Sequence, residues 1–227
     1  MISFNIKLKM LKIFQKVLKI FNFKLFYTRD KNTLKYLKID KIIDVGVANG
    51  TKFLLNNFPE AEYFFIEANK DYYTFIENKL LKKYKSKLFK CAAGKEIGSK
   101  KLYVSGVISS FHERENFKFK KYYETEVMPV DKILENEVLN GKVLLKIDCE
   151  GDELNILKGA KDVLAKVSYV IVEVRLQKIK TYNPSQIINF LYEKNFLWNE
   201  ILDVYFAKKG IDYLDILFIK KNLIIEK

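Results

Sequence analysis

Three groups of residues in this 227-residue chain have the types and spacing to do chemistry. The first is Asp44-Val-Gly46-Val-Ala48-Asn49-Gly50, an acid and two glycines at the end of a short apolar run. Gly46 permits a tight turn, and Gly50 lets the backbone approach a ligand or the next helix closely. The G-x-x-x-G spacing is not the G-x-G-x-x-G of a nicotinamide dinucleotide site, and an acid before the first glycine would oppose a pyrophosphate. It suits a cation. The second group is Glu67, 21 residues beyond Gly46 at the end of the next apolar run, where an acid accepts the two hydroxyls of a ribose. A nucleoside with a positive sulfonium suits both acids, so S-adenosylmethionine is the expected cofactor. Asp44, Gly46, Gly50 and Glu67 are its expected binding residues.

The third group is Lys146-Ile-Asp148-Cys149-Glu150-Gly151-Asp152-Glu153. An apolar strand delivers Asp148 and Glu150 toward the same crevice as Gly46, and Gly151 permits the turn that follows. Asp152 and Glu153 fall in the first turn of a helix, where negative charge complements the dipole, and a structural role is expected of them. Cys149 adjoins Asp148 and should face the other side of the strand as a buried thiol. Glu173 ends a further strand. His112 is the one histidine, in a stretch (Ser109-Ser110-Phe111-His112-Glu113) that could fold over the site or lie at the surface.

These groups need a scaffold, and the hydrophobic pattern supplies one. Apolar runs over 41–48, 62–68, 87–93, 142–149 and 169–176 read as strands, with a short additional strand over 101–105. Helical spacing appears over 51–58, 71–84, 152–165 and 185–194. Residues 106–126 show no clear period and are expected to form a loop, while 200–206 and 213–220 read as a closing strand pair. Such alternation predicts an α/β fold, a mostly parallel sheet with helices on both faces. Ligands of such sheets bind at the carboxyl ends of the strands.

Composition narrows the function further. Hydrophobic residues make up 49% of the chain, enough for a full core, and two cysteines, Cys91 and Cys149, cannot form a disulfide framework. A reducing, cytoplasmic compartment is expected. One histidine excludes a site needing several His ligands. Of the net charge of +13, residues 1–38 carry +9. Positive charge concentrated mostly in a head piece, with three arginines in all, argues against a nucleic-acid partner. Within residues 6–26, Lys9, Lys12, Lys16 and Lys19 share an arc of roughly 80°, opposite Met10, Phe14, Val17 and Phe21. This basic amphipathic segment (1–38) precedes the domain over 39–227. It cannot span a bilayer, and either packs on the domain or lies on the inner face of an anionic membrane.

The stretches IIDVGVANGTKFLLNNFPEAEYFFIEAN, CAAG followed by Gly98, ISSF, PVDKIL, LLKIDCEGDELNILKGA and VIVEV resemble the FkbM-type S-adenosylmethionine-dependent methyltransferases. The resemblance runs from about Ile42 to Val174. It implies a Rossmann-like, class I methyltransferase domain with a seven-stranded sheet whose last strand is reversed. It also implies methyl transfer to a hydroxyl oxygen, with a sugar or glycan precursor as the leading acceptor. Ala48 stands where the commonest family form has Asn, which falls one place later at Asn49, and Ala68 replaces a proline after Glu67. A sugar hydroxyl is a poor nucleophile and needs a base or a metal. Asp148 is the expected base, Glu150 orients or substitutes for it, and Glu173 is a third candidate. The same acids could hold a divalent ion, a choice the residues leave open. The rival functions are a non-catalytic scaffold of the same fold at the membrane and an RNA methyltransferase. Against the latter, the chain lacks an Asn/Asp-Pro-Pro-aromatic motif, and Asn183-Pro184 reads as a lone turn.

Overall fold

A computed structural model of the chain describes residues 31–105, 108–112, 121–176, 181–207 and 210–225. Residues 1–30, with the amphipathic stretch 6–26, lie outside the described residues. Seven strands form the main sheet: β1 (Lys41–Val45), β2 (Glu62–Ile66), β3 (Ser86–Phe89), β8 (Val143–Ile147), β9 (Tyr169–Arg175), β10 (Phe196–Ala207) and β11 (Gly210–Lys220). Their order is β10-β11-β9-β8-β1-β2-β3. Neighbours from β9 through β3 pair in parallel, and β11 alone runs antiparallel to both of its neighbours. The sheet is therefore mixed, with one reversed strand.

The central strands are mostly apolar because both faces are covered, with Asp44, Lys146 and Glu173 as their buried charged residues. All five residues of β8 are buried. On one face Ile43, Val45, Leu145, Ile147 and Val172 pack with Leu154, Leu157, Leu164, Ile187 and Leu191. These last five belong to α3 (Glu153–Lys158), α4 (Lys161–Lys166) and α5 (Pro184–Glu193). On the other face Ile42, Tyr63, Phe65 and Leu144 pack with Leu34, Leu54, Phe58 and Ile76, the last four from the turn Lys31–Tyr36, from α1 (Lys52–Asn57) and the residue after it, and from short helical turns over 70–80. The Asn183-Pro184 turn opens α5. Asn183 accepts from the Ser185 amide and Gln186 reaches back to the Asn183 amide, a capping box that starts the helix.

Two expectations are corrected. Residues 106–126 are not a plain loop. They contribute β6 (Ile108–Ser110) and β7 (Lys121–Met128) to a second sheet, which with β4 (Ala92–Ala93) and β5 (Gly98–Ser105) has the order β4-β7-β5-β6. The period is weak because β5 and β7 are exposed over much of their length and buried only toward one end, at Leu102, Val104, Thr125 and Val127. The helix expected over 152–165 is two helices, α3 and α4. The Asp131 carboxylate, in α2 (Val130–Ile133), accepts from the Asp162 and Val163 amides at 3.1 and 2.8 Å and caps α4 as a separate start. Gly159 sits at the break, where a β-carbon would lie 2.0 Å from the Gly94 carbonyl oxygen.

That contact joins the second sheet to α3, and neither partner atom is the end of a flexible side chain. Gly159→Ala should cost about 1–3 kcal/mol and lower the midpoint of thermal unfolding by roughly 3–9 °C. Differential scanning calorimetry checks it, and an unchanged midpoint would show that the junction yields freely.

Candidate active site

A cavity of about 560 Å³ opens at the carboxyl ends of β1, β2, β8 and β9. The crevice forms because β1 sends its chain to β2 on one side while β8 and β9 lie on the other. The turn after β1 forms its floor. Gly46 has φ +80° and Gly50 φ +88°, and a β-carbon on Gly46 would stand 2.1 Å from the Asp148 carbonyl oxygen. Ala48, with φ +46°, takes a left-handed conformation that only glycine adopts freely. Glu67 holds the turn: its carboxylate accepts from the Ala48 amide at 2.8 Å and the Asn69 amide at 2.7 Å. Burial raises the pKa of Glu67, against those two amides. The Val47 amide also stabilises the carboxylate, and Glu67 borders the cavity.

Asp44 is placed differently. It is fully buried and does not border the cavity; its Oδ1 lies 3.3 Å from Lys146 Nζ. Lys146 is 4% exposed, donates to the Gly46 carbonyl at 2.8 Å and stands 3.6 Å from Asp148. Burial alone would lower the Lys146 pKa, but Asp44 and Asp148 outweigh it and hold the ammonium above its ordinary value. Lys146 thus ties β1, the glycine turn and Asp148 together. A lysine inside the apolar run VLLKI was the signal for it.

The structure brings Asp148, Glu150 and Glu173 together: one carboxylate oxygen from each lies within 4.8 Å of the others. Such an all-oxygen set suits a hard divalent cation. Arg175 already supplies positive charge there. Its guanidinium pairs with Glu150, stands 3.0 Å from Glu173 and 3.6 Å from Asp212. Burial, with Asp148 adding to it, pushes the Glu173 pKa up to about 10. Tyr213 of β11 borders the same end, with the Arg175 guanidinium 5.3 Å from its ring centre. Neither Arg175 nor Tyr213 was marked in the sequence. The reversed strand beside β9 is what brings Tyr213 opposite Arg175.

Glu153 fastens the turn that presents these acids. Its Oε1 accepts from the Cys149 and Gly151 amides at 3.1 and 2.9 Å, and Tyr182 donates to its Oε2 at 2.8 Å. Glu150 has φ +55°, a strained value for a non-glycine residue, inside that turn. Cys149 borders the cavity rather than facing away from it, because the strand's alternation stops at Ile147. Burial raises its thiol well above the ordinary range, so it is no nucleophile. Ser109, Ser110 and Phe111 also border the cavity, and Ser110 donates to the Glu150 carbonyl at 3.1 Å. The stretch beginning at Ser109 therefore does fold against the site.

A singly reversed seven-stranded sheet, with a glycine turn and acids at its strand ends, defines a Rossmann-like methyltransferase domain. A family model for the methyltransferase FkbM domain matches residues 44–198, and the chain belongs to that family. Among solved structures it is similar to a methyltransferase FkbM from Methylobacillus flagellatus KT, with TM-score 0.53 at 16% identity. The match covers 85% of this chain and 48% of that one, so this chain spans about half of that protein's length. It is also similar to a precorrin-6y C5,15-methyltransferase from Geobacter metallireducens GS-15 (TM-score 0.47, 12% identity, 83% and 85% of the two chains). A third similar structure is a magnesium protoporphyrin IX methyltransferase from Synechocystis PCC 6803 with bound SAM (TM-score 0.44, 7% identity, 79% and 69%). A search of curated proteins finds no match. No helix among the described residues is long and apolar enough to cross a membrane.

The raised pKa of Glu173 makes a statement about stability. The folded state holds a proton on it that the unfolded chain releases near pH 4.5, so folding stability falls as pH rises from there toward 10. Glu173→Gln removes this dependence. Between pH 5 and 9 the variant should lose less stability than the parent by more than about 1.4 kcal/mol. Urea unfolding at the two pH values measures it, and equal losses would assign Glu173 an ordinary pKa.

Proposed function

We propose that this protein is an S-adenosylmethionine-dependent methyltransferase that methylates a hydroxyl oxygen of a sugar or glycan precursor. The observation that carries the proposal is one cavity bordered both by Glu67 and the Gly46–Gly50 turn and by the three carboxyl groups of Asp148, Glu150 and Glu173. Membership of the methyltransferase FkbM domain family supports the reaction class.

The glycine turn and Glu67 fit the expected group. Gly46 and Gly50 leave no side chain over the turn, Glu67 presents a carboxyl group to the cavity for ribose hydroxyls, and the cavity volume is ordinary for a ligand of this size. Asp44 contributes through Lys146 and the turn. When bound, S-adenosylmethionine supplies a methyl group on a positive sulfonium. Asp148 is positioned to accept the proton of an acceptor hydroxyl held about 3 Å from the reacting carbon. Glu150, fixed by Arg175, orients that hydroxyl or a neighbouring one. Glu173, protonated at neutral pH by its burial, can donate as well as accept a hydrogen bond. A cluster of carboxyl groups accepts hydrogen bonds from hydroxyls and repels phosphates, which favours a sugar hydroxyl over a nucleic-acid backbone.

Calorimetric titration should show saturable binding of S-adenosylmethionine and none of NADH. Glu67→Ala should weaken the former by about 10- to 100-fold, the value of one or two hydrogen bonds to a charged group. Undiminished affinity in that variant would remove Glu67 from the cofactor site. Asp148→Ala should keep the cofactor affinity within about threefold and abolish methyl transfer to a panel of sugar nucleotides and glycans. Full turnover in it would retire Asp148 as the base.

A further inference from the structure

The face of the sheet that carries Glu173 and Arg175 continues past the cavity onto β11 and β10. In the strand register Arg175 lies opposite Tyr213, and Tyr213 opposite Tyr205. Side chains paired in this way project from one face of a sheet. β9 and β10 flank β11, so Arg175 and Tyr205 take opposite faces of the Tyr213 ring. The guanidinium stands 5.3 Å from the Tyr213 ring centre, and the two tyrosine rings stack 4.8 Å apart with their planes 4° from parallel. Tyr213 borders the cavity, whereas Tyr205 is 55% exposed. β10 is the last strand of the sheet, so among the described residues no further strand stands beyond Tyr205. Two stacking steps therefore join the acids of the site to an open aromatic ring.

Carboxylates flank the two tyrosines. Asp203 stands two residues before Tyr205 on β10 and opposite Asp215 on β11, with no bulge between, so both acids share the tyrosines' face. Asp215 borders the cavity beside Tyr213, which makes the strip continuous with the place where Asp148, Glu150 and Glu173 meet. An aromatic ring with carboxylates beside it matches a sugar ring. The C–H face of a pyranose is apolar and suits the electron-rich face of a tyrosine, while the hydroxyls at its rim donate to carboxylates. A diphosphate in the same place would be repelled by them. We propose that Tyr205 is a stacking platform for a neutral sugar joined to the one that is methylated. The acceptor is then a glycan of at least two sugars, not a nucleotide-activated monosaccharide. The proposal rests on the sugar-acceptor reading above and narrows it.

Methyl-transfer kinetics on a panel of sugars test this, each sugar supplied as its methyl glycoside, within a disaccharide and as its nucleotide diphosphate. For the parent protein the KM of the disaccharide should be about 3- to 10-fold below that of the methyl glycoside, the value of covering one apolar sugar face. Tyr205→Phe keeps the ring and should retain that ratio. Tyr205→Ala should bring the ratio to about 1, with the loss in KM rather than kcat. A ring that only steadied the sheet edge would affect all three forms alike and leave the ratio unchanged. Equal KM values in the parent, a ratio that survives in Tyr205→Ala, or a nucleotide diphosphate preferred over the disaccharide overturns the inference and leaves the sugar-acceptor reading standing. A parent protein that methylates none of the three forms of any sugar overturns both.

Discussion

The close approach of β1 and β8 is the constraint on which the active end of the sheet depends. The Asp148 amide donates to the Val45 carbonyl at 3.2 Å, and the Asp148 carbonyl stands where a Gly46 side chain would be. Two strand ends this near bring the glycine turn and the acid-bearing turn to one crevice. They also bury Asp44 and leave it in need of a countercharge. Lys146 meets that need, and because its ammonium also holds the Gly46 carbonyl and faces Asp148, one side chain sets the distance between the two functions. Removing either partner would leave an uncompensated buried charge, which is strongly destabilising.

Among the three carboxyl groups that border the cavity together, charge is handled by pairing and by protonation. Asp148, Glu150 and Glu173 could not all be ionised side by side without a cation. Arg175 neutralises part of the group, and burial keeps Glu173 protonated. The site thereby holds one carboxylate facing Lys146, one oriented by arginine and one acid able to donate. Such a group can accept hydrogen bonds at two carboxylates and donate one from the protonated acid.

The second sheet acts on the site from above. It enters the chain between β3 and β8, and its strands end with Ser109 and Ser110 against Asn69 and the Glu150 carbonyl. Phe111 and His112 follow directly. Its packing on α3 through Gly94 and Gly159 fixes its height over the cavity, so its apolar residues become a wall of the cavity rather than an appendage.

The central strands, their order of appearance and the turns at Gly46, Glu67 and Asp148 were legible in the sequence, because buried parallel strands are continuous apolar runs and the chemistry sits at their ends. β5, β6 and β7 were not, since a small half-exposed sheet leaves no sustained period. The break between α3 and α4 was hidden because Asp131, which causes it, lies over 20 residues away. Asp44 looked like a ligand-facing acid, but its position facing Lys146 follows from the β1–β8 register, Asp44 opposite Lys146. Arg175 and Tyr213 gained their places only when the reversed strand packed against the strand ends. Local pattern determines what each segment is. Which side chains share a cavity depends on contacts between segments far apart in the chain, and those exist only in the folded state.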